Sequence, residues 1–316
     1  MKIRRILPPW VILLLSCCLF LVFPSAILAD SADSADTGAD TAATSTSSNS
    51  GRQVITLGSS GLVGGLVLDE LLASNAFDKI HAVVRRPLLL EHAKLHQIVV
   101  PDLHDIPNHS EFQVLAATSE NKNIVAAINT LGTNEPFGKP LQDFLDIDLV
   151  LTQVFTEYCA TSLPKVQYMS LLSSTGSKAN PEPFSEQELK MQVSLWNMTP
   201  LYLRLKGLVE NAVLTSGIAH VTIFHPANFI TDTYRFGILD IVLQTICKLF
   251  NWATPPKYKS IHVKHIAHAM VRHAEENTRN PITRTPTSSP TVSRLTFADM
   301  MAYQTRQKEE APTTEL

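Results

Sequence analysis

From residue 53 onward, short apolar runs alternate with longer stretches in which apolar residues recur every three or four positions. Gln53–Leu57, Ile80–Val84, Ile98–Val100, Ile124–Ile128, Val166–Leu172 and His220–Phe224 have the length and composition of buried strands. Leu66–Leu72, Phe144–Ala160 and Leu203–Leu214 carry helical spacing between them. This order predicts an α/β fold, a doubly wound parallel Rossmann sheet with helices on both faces. Beyond residue 228 the pattern loosens into a small substrate-side subdomain. It holds an apolar helix over Phe236–Phe250, a helix over Ile261–Ala274 and a capping box at Thr296–Asp299 that opens a last helix.

The N-terminus has a different pattern. Lys2, Arg4 and Arg5 precede an apolar run from Trp10 to Phe23, and small residues follow as far as Ala29. That is the layout of a cleaved signal peptide. Extended from Ile6 to Ala29, the same run reaches the length of a membrane-spanning anchor. The expected location is therefore the secretory pathway or a membrane reached through this segment, with the mitochondrial outer membrane or the cytoplasm as alternatives. Residues 30–50 hold no large apolar side chain and read as a disordered tether. The expected organisation is a leader at 1–29, the tether at 30–50, one domain at 51–305 and a flexible tail at 306–316. A net charge of -3 with no basic stripe excludes a nucleic-acid surface. The four cysteines fall at no spacing that would hold a metal.

Chemistry enters at the first strand. Gly58-Ser59-Ser60-Gly61-Leu62-Val63-Gly64 joins that strand to the first helix. Glycines at these intervals permit a tight turn, close approach of a pyrophosphate and close helix–strand packing, and the phosphate then rests on amides at the helix N-terminus. Gly58, Ser60, Gly61, Leu62 and Gly64 are therefore candidate nucleotide contacts. An NAD-preferring site ends its second strand in a carboxylate. Here the strand ends in Arg85 and Arg86, whose guanidiniums suit a 2′-phosphate, so the expected cofactor is NADP(H). Asp102 after the third strand, and Leu131 and Gly132 after the fourth, stand at strand carboxyl ends, where such sheets bind ligands.

Tyr202 and Lys206 are four residues apart in a helical stretch and share a face. An ammonium beside a phenol favours the phenolate, so this pair suits proton transfer at a substrate oxygen while hydride moves. Ser173 and Ser174 close the strand before that helix, and Ser174 is the candidate to orient a substrate carbonyl.

These strings are collinear. The glycine turn, Arg85-Arg86, Leu131-Gly132-Thr133, Leu171–Ser174 and Tyr202–Gly207 together resemble the atypical short-chain dehydrogenases. The resemblance points to the Tat-interacting oxidoreductase-like branch, which includes a fungal mitochondrial outer-membrane protein. It covers roughly residues 53 to 230 and extends to Phe144–Asp148. It implies that Gly58, Gly61, Gly64, Arg85, Arg86, Leu131 and Gly132 hold NADPH. It further implies Tyr202 as the acid/base and Lys206 as the residue that holds the nicotinamide ribose and polarises Tyr202. Two departures stand out. His225-Pro226-Ala227-Asn228 replaces an Arg-Pro-Gly, and the connection from Ser174 to Tyr202 is long enough to reshape or cover the substrate pocket. The expected function is reduction of a small-molecule carbonyl. The alternatives are an NADPH-binding scaffold with little turnover, which implies a protein partner, and a non-redox isomerase or lyase that keeps the cofactor bound.

Overall fold

A computed structural model of the chain describes residues 51–118, 123–133, 138–194, 196–232, 245, 249, 251–252, 254–279 and 290–310. Residues 1–50, where the leader and the tether are expected, Cys247 and nearly all of the apolar Phe236–Phe250 segment lie outside these residues.

The first half alternates as its pattern requires: β1 (Gln53–Leu57), α1 (Leu62–Ala73), β2 (Lys79–Val84), β3 (Leu95–Val99), α2 (Ser110–Ala117) and β4 (Ile124–Asn129). A helical rod follows, built from α3 (Leu141–Leu145), one π turn over Asp146–Val150 and α4 (Leu151–Ser162). Then come β5 (Tyr168–Leu172), the short α5 (Glu186–Leu189), α6 (Met198–Leu214) and β6 (His220–Phe224). The chain closes with β7 (Phe229–Ile230), β8 (Ile261–His262), α7 (Val263–Asn277), β9 (Thr291–Leu295) and α8 (Phe297–Glu310).

Seven strands form one sheet in the order β3-β2-β1-β4-β5-β6-β9, and every pairing in it is parallel. β7 and β8 make a separate parallel pair. This is the doubly wound Rossmann arrangement. Alternate side chains of each strand feed opposite layers, as the period of two demands. Ile55 and Leu57 join one core with Phe112, Phe155, Leu205 and Val209 from α2, α4 and α6. Val54, one residue away, joins the other with Val67, Leu71, Ile266 and Met270 from α1 and α7. Strand order reverses between β1 and β4, and the crevice at their carboxyl ends is where such sheets take ligands.

Several boundaries differ from expectation. β3 starts three residues earlier, at Leu95, because backbone pairing to Ile80–Val84 recruits Leu95 and the polar His96-Gln97 at the sheet edge. The long helix expected at Phe144–Ala160 starts at Leu141 and carries the π turn. Helix α6 starts at Met198, and Pro200 sits in its first turn, where a missing N–H costs nothing. Ile261-His262 pairs as strand β8, and α7 begins only after it, with the His262 side chain accepting from Lys264 N. β9 was not legible in the sequence, since Thr291-Val-Ser-Arg-Leu gains its strand character by pairing with β6. α8 continues to Glu310, past the boundary placed at 305, through residues with good helix propensity.

Candidate functional site

The site begins where β1 leaves the sheet. Gly58 has φ +95°, a conformation that strongly favours glycine. A Cβ built there would lie 2.7 Å from the Thr130 carbonyl carbon and 2.8 Å from Leu131 N, so the loop after β4 presses directly on the turn. The contact is held by Leu57 O, which accepts from Thr130 N at 2.9 Å and from Thr130 Oγ1 at 3.1 Å. The turn closes on itself through Gly61 N donating to Gly58 O at 2.8 Å. A Cβ at Gly64 would lie 2.0 Å from that same Gly58 oxygen. Gly61 is the N-cap of α1 and provides no side-chain cap, so the first-turn amides of Leu62 and Val63 meet no capping side chain. Ser60 is exposed, and Gly61 and Leu62 are half-buried beside it.

Arg85 and Arg86 leave β2 beside β1. Both are exposed, and neither makes a hydrogen bond or ion pair among the described residues. Asp102 is engaged locally. Its Oδ1 accepts from His104 N at 3.0 Å, capping a short 3-10 turn, and pairs with His104 Nδ1 at 2.7 Å. His104 Nε2 reaches on to Asp146 at 3.1 Å. Hydrogen bonds donated to the Asp102 and Asp146 carboxylates raise the His104 pKa, and those donated by His104 lower that of Asp102.

After β4 the buried Asn129 shapes the next loop. Its Oδ1 accepts from Leu131 N at 2.8 Å and its Nδ2 donates to Thr152 Oγ1 at 3.0 Å. Gly132 is exposed, and a Cβ there would sit 3.6 Å from Asp148 Oδ1 and 3.7 Å from Lys206 Nζ. Thus the Leu131-Gly132 loop runs alongside an ion pair that spacing did not reveal. Lys206 Nζ donates to Asp148 Oδ1 at 2.9 Å, and the two side chains are 6% and 1% exposed. The other Asp148 oxygen accepts from Thr133 N at 2.8 Å and Thr133 Oγ1 at 2.7 Å. Asp148 lies in the π turn and is buried on the same rod as Phe144, Leu151 and Phe155. Burial opposes the Lys206 charge, but Asp148, Tyr202 and Glu210 outweigh it and raise the pKa above the ordinary lysine value.

Tyr202 is half-buried, and its ring stacks on Phe144 with centroids 6.2 Å apart and planes 8° apart. Lys206 Nζ stands 5.6 Å from the Tyr202 ring centroid. So the structure does bring Tyr202, Lys206 and Gly132 together, but it commits the ammonium to Asp148. Ser174, two residues past β5, is half-buried, its Oγ facing Thr175 O at 3.5 Å, with no hydrogen bond among the described residues to Tyr202 or Lys206. Ser173 is the buried one of the two and donates to Glu210 Oε1. Glu210 is one turn beyond Lys206 on α6, and His225 Nε2 reaches the same oxygen at 2.8 Å. Burial works against the Glu210 charge, but bonds from His225, Ser173 and Ser177 prevail and lower its pKa. His225 therefore pairs with a carboxylate behind the site. Glu210 was findable, since positions 202, 206 and 210 share one helix face; Asp148, 58 residues before Lys206, was not.

The long connection after Ser174 lies against α6. Lys178 N donates to Leu203 O at 2.9 Å, and a Cβ at Gly207 would meet Lys178 O at 2.1 Å. Arg204 then clamps the rest, donating to Glu182 O at 2.7 Å and Glu188 Oε1 at 2.7 Å while its guanidinium covers the Phe184 ring at 4.3 Å. The segment is thus anchored mainly on α6 positions outside the Tyr202–Lys206–Glu210 row, with Ser177 alone bonding to Glu210.

No family model matches the chain. It is similar to protein FMP52, mitochondrial, of Candida glabrata, with 26% identity over 184 residues, 58% of this chain. The match spans 66% of that relative, just under two thirds of its length. Among solved structures it is similar to MoeE5 in complex with UDP-glucose and NAD, at 17% identity and a TM-score of 0.49 over 77% of this chain and 76% of that one. It is also similar to the enzyme WbmH of Bordetella bronchiseptica in complex with NAD+, at 14% identity and a TM-score of 0.49 over 84% of this chain and 83% of that one.

Proposed function

We propose that this chain is an NADP(H)-dependent oxidoreductase of the short-chain dehydrogenase type that reduces a carbonyl substrate. We further propose that it belongs to the Tat-interacting oxidoreductase-like branch. The observation that carries the reading is the junction at the carboxyl ends of β1 and β4. There the Gly58–Gly64 turn packs against Thr130 and Leu131, and Gly132 runs beside Lys206, so turn, loop and ammonium meet at one end of the sheet.

The residues present fit a dinucleotide. Gly58 and Gly64 let the Thr130-Leu131 loop and α1 close tightly on the turn, and the uncapped amides of α1 suit a pyrophosphate. Arg85 and Arg86, exposed and unpaired among the described residues at the end of β2, suit a 2′-phosphate. Leu131 and Gly132 line the path, and Lys206 would hold the ribose hydroxyls. When bound, the nicotinamide supplies the hydride. Tyr202 would protonate the substrate oxygen at its hydroxyl, and Ser174 would orient the carbonyl. Glu210, Ser173 and His225 support the row from behind. A membrane-bound or secretory location through residues 1–29, with the mitochondrial outer membrane as the alternative, belongs to the same proposal. Among the described residues no helix is long and apolar enough to cross a membrane.

The test is a fluorescence titration of the full chain with NADPH and NADH, beside Arg85→Asp. NADPH is expected to bind tightly and NADH weakly. The variant should lose at least tenfold in NADPH affinity, about 1.4 kcal/mol, because a carboxylate there repels a 2′-phosphate. Equal affinity for both cofactors would remove the NADP assignment, and no binding of either would remove the dehydrogenase reading.

A further inference from the structure

Phe229, Leu249, Trp252 and Tyr258 are four of the eight large apolar side chains that stand exposed among the described residues, and Trp252 is 82% exposed. Short bonds gather them at one corner of the domain. Asn251, flanked by Leu249 and Trp252, accepts from Ser260 N at 2.8 Å and donates its Nδ2 to Ser260 O at 3.2 Å. The next residue, Ile261, donates its N to Asn228 O at 3.0 Å and pairs with Phe229 across β7 and β8. Tyr258 ends the 3-10 turn Pro256–Tyr258, two residues before Ser260. That turn borders the loop after Ser174, since Thr175 Oγ1, bonded to His225 O at 2.7 Å, also meets Lys257 O at 3.4 Å.

The free charge of this corner is positive. Among the described residues the ammonium groups of Lys257 and Lys259 meet only aromatic rings, 4.9 Å from the Tyr258 centroid and 6.0 Å from that of Phe297. Asp232, just past β7, is closed by Lys264 Nζ at 2.6 Å and His262 Nε2 at 3.1 Å.

We propose that this corner is a docking surface for an anionic lipid bilayer, with Trp252 and Tyr258 at headgroup level and Lys257 and Lys259 against the phosphates. Tryptophan and tyrosine have an apolar body and a polar tip, and they collect where hydrocarbon meets water. Lysine lays its stem along apolar surface and keeps its ammonium in water, beside anionic headgroups. A protein partner fits less well, because the cores of protein interfaces gather aromatic residues but are depleted in lysine. Pro255, Pro256 and the Asn251–Ser260 bonds hold the turn in shape, so docking has little chain to order. Residues 1–29, the segment expected to reach a membrane, take no part in this surface. Nor does the surface depend on the nucleotide site, so its failure would leave the proposed function standing.

The test reads Trp252 itself. The chain has three tryptophans, Trp10, Trp196 and Trp252, so the full-length Trp10→Phe/Trp196→Phe variant reports from Trp252 alone. Its emission is followed as phosphatidylcholine vesicles are added, with and without phosphatidylserine, and with a brominated lipid as quencher. Emission should move to the blue on phosphatidylserine vesicles, much less on phosphatidylcholine alone, and the brominated lipid should at least halve it. Adding Lys257→Gln and Lys259→Gln should weaken the response to phosphatidylserine about 30-fold, a factor of about five for each lysine. Emission that stays unshifted while the chain sediments with the vesicles would show that the N-terminal segment alone binds, and would overturn the proposal. So would an equal response to neutral and anionic vesicles. Emission already blue without lipid, or turning blue with protein concentration alone, would overturn it too, since the chain itself or a second copy would then cover the corner.

Discussion

Gly64→Ala tests the packing of the proposed nucleotide turn directly. The new Cβ would lie 2.0 Å from Gly58 O, 2.5 Å from Thr130 Oγ1 and 2.6 Å from the Gly58 carbonyl carbon. A carbon and a carbonyl oxygen that touch without bonding sit about 3.3 Å apart, so helix and turn must separate by about 1.3 Å. Helix α1 has little room to retreat, because Val63, Val67, Leu68 and Leu71 are buried in the core it shares with α7. Overpacking of this kind costs about 1–3 kcal/mol, and backbone on the far side of the clash argues for about 3. For a domain of this size that corresponds to a fall in Tm of about 6–12 °C. Gly65→Ala is the internal control. Its Cβ would meet nothing nearer than Ser59 O at 3.6 Å, and replacing a helical glycine stabilises by about 0.5–1 kcal/mol. Thermal unfolding of the two variants should therefore move in opposite directions, and NADPH affinity should fall only in the first. A Gly64→Ala protein that melts within about 2 °C of wild type would refute the packing argument, as would an equal loss in both variants.

Three further expectations follow from the charges. Asp148→Asn leaves Lys206 buried without its partner, so it should destabilise by about 3–5 kcal/mol in urea unfolding, and the double Asp148→Asn/Lys206→Met variant by clearly less. Equal losses in the two would mean that the ion pair is not what the single variant breaks. His81 is fully buried, and burial first, then the charges of His96 and Lys79, lowers its pKa to about 3. Its folded value is depressed, so its contribution is complete above the unfolded value near 6.5 and is lost as pH falls below it. Stability should drop by about 2 kcal/mol between pH 7 and pH 5 on this account, and His81→Gln should lack that part of the slope; identical slopes would contradict the assignment. Lastly, Glu210 is held below the ordinary glutamate pKa mainly by its bonds to His225 and Ser173, despite burial. Its contribution is present above the unfolded value and lost as pH falls through the folded one. Glu210→Gln should therefore flatten the acid limb of stability below about pH 4.3, measured by urea midpoints across that range.

Much of the site was legible because its chemistry is local. A strand, a glycine turn and a helix lie within residues 53–73, and β1 and α1 appear there. Tyr202 and Lys206 share a face because helical geometry fixes that from spacing alone, and α6 carries both. Strand β6 matches its apolar run residue for residue. Ser174 shows where this kind of reading ends: two adjacent serines are equivalent in sequence, and only the folded chain just past β5 buries Ser173 against Glu210 and leaves Ser174 half-exposed.

The sequence by itself determined that this chain alternates strands and helices, that its first turn carries glycines at 58, 61 and 64, and that two arginines end its second strand. Each of these follows from neighbours along the chain, where periodicity and glycine content act directly. The tertiary structure alone decided that Thr130 and Leu131 press on Gly58, that β9 joins the sheet beside β6, and that Asp148 reaches Lys206 across 58 residues. Those contacts depend on strand order and on the packing that buries one aspartate against Lys206 of α6. A carboxylate inside a helix reads as a solvated charge until the fold removes the water and places an ammonium against it.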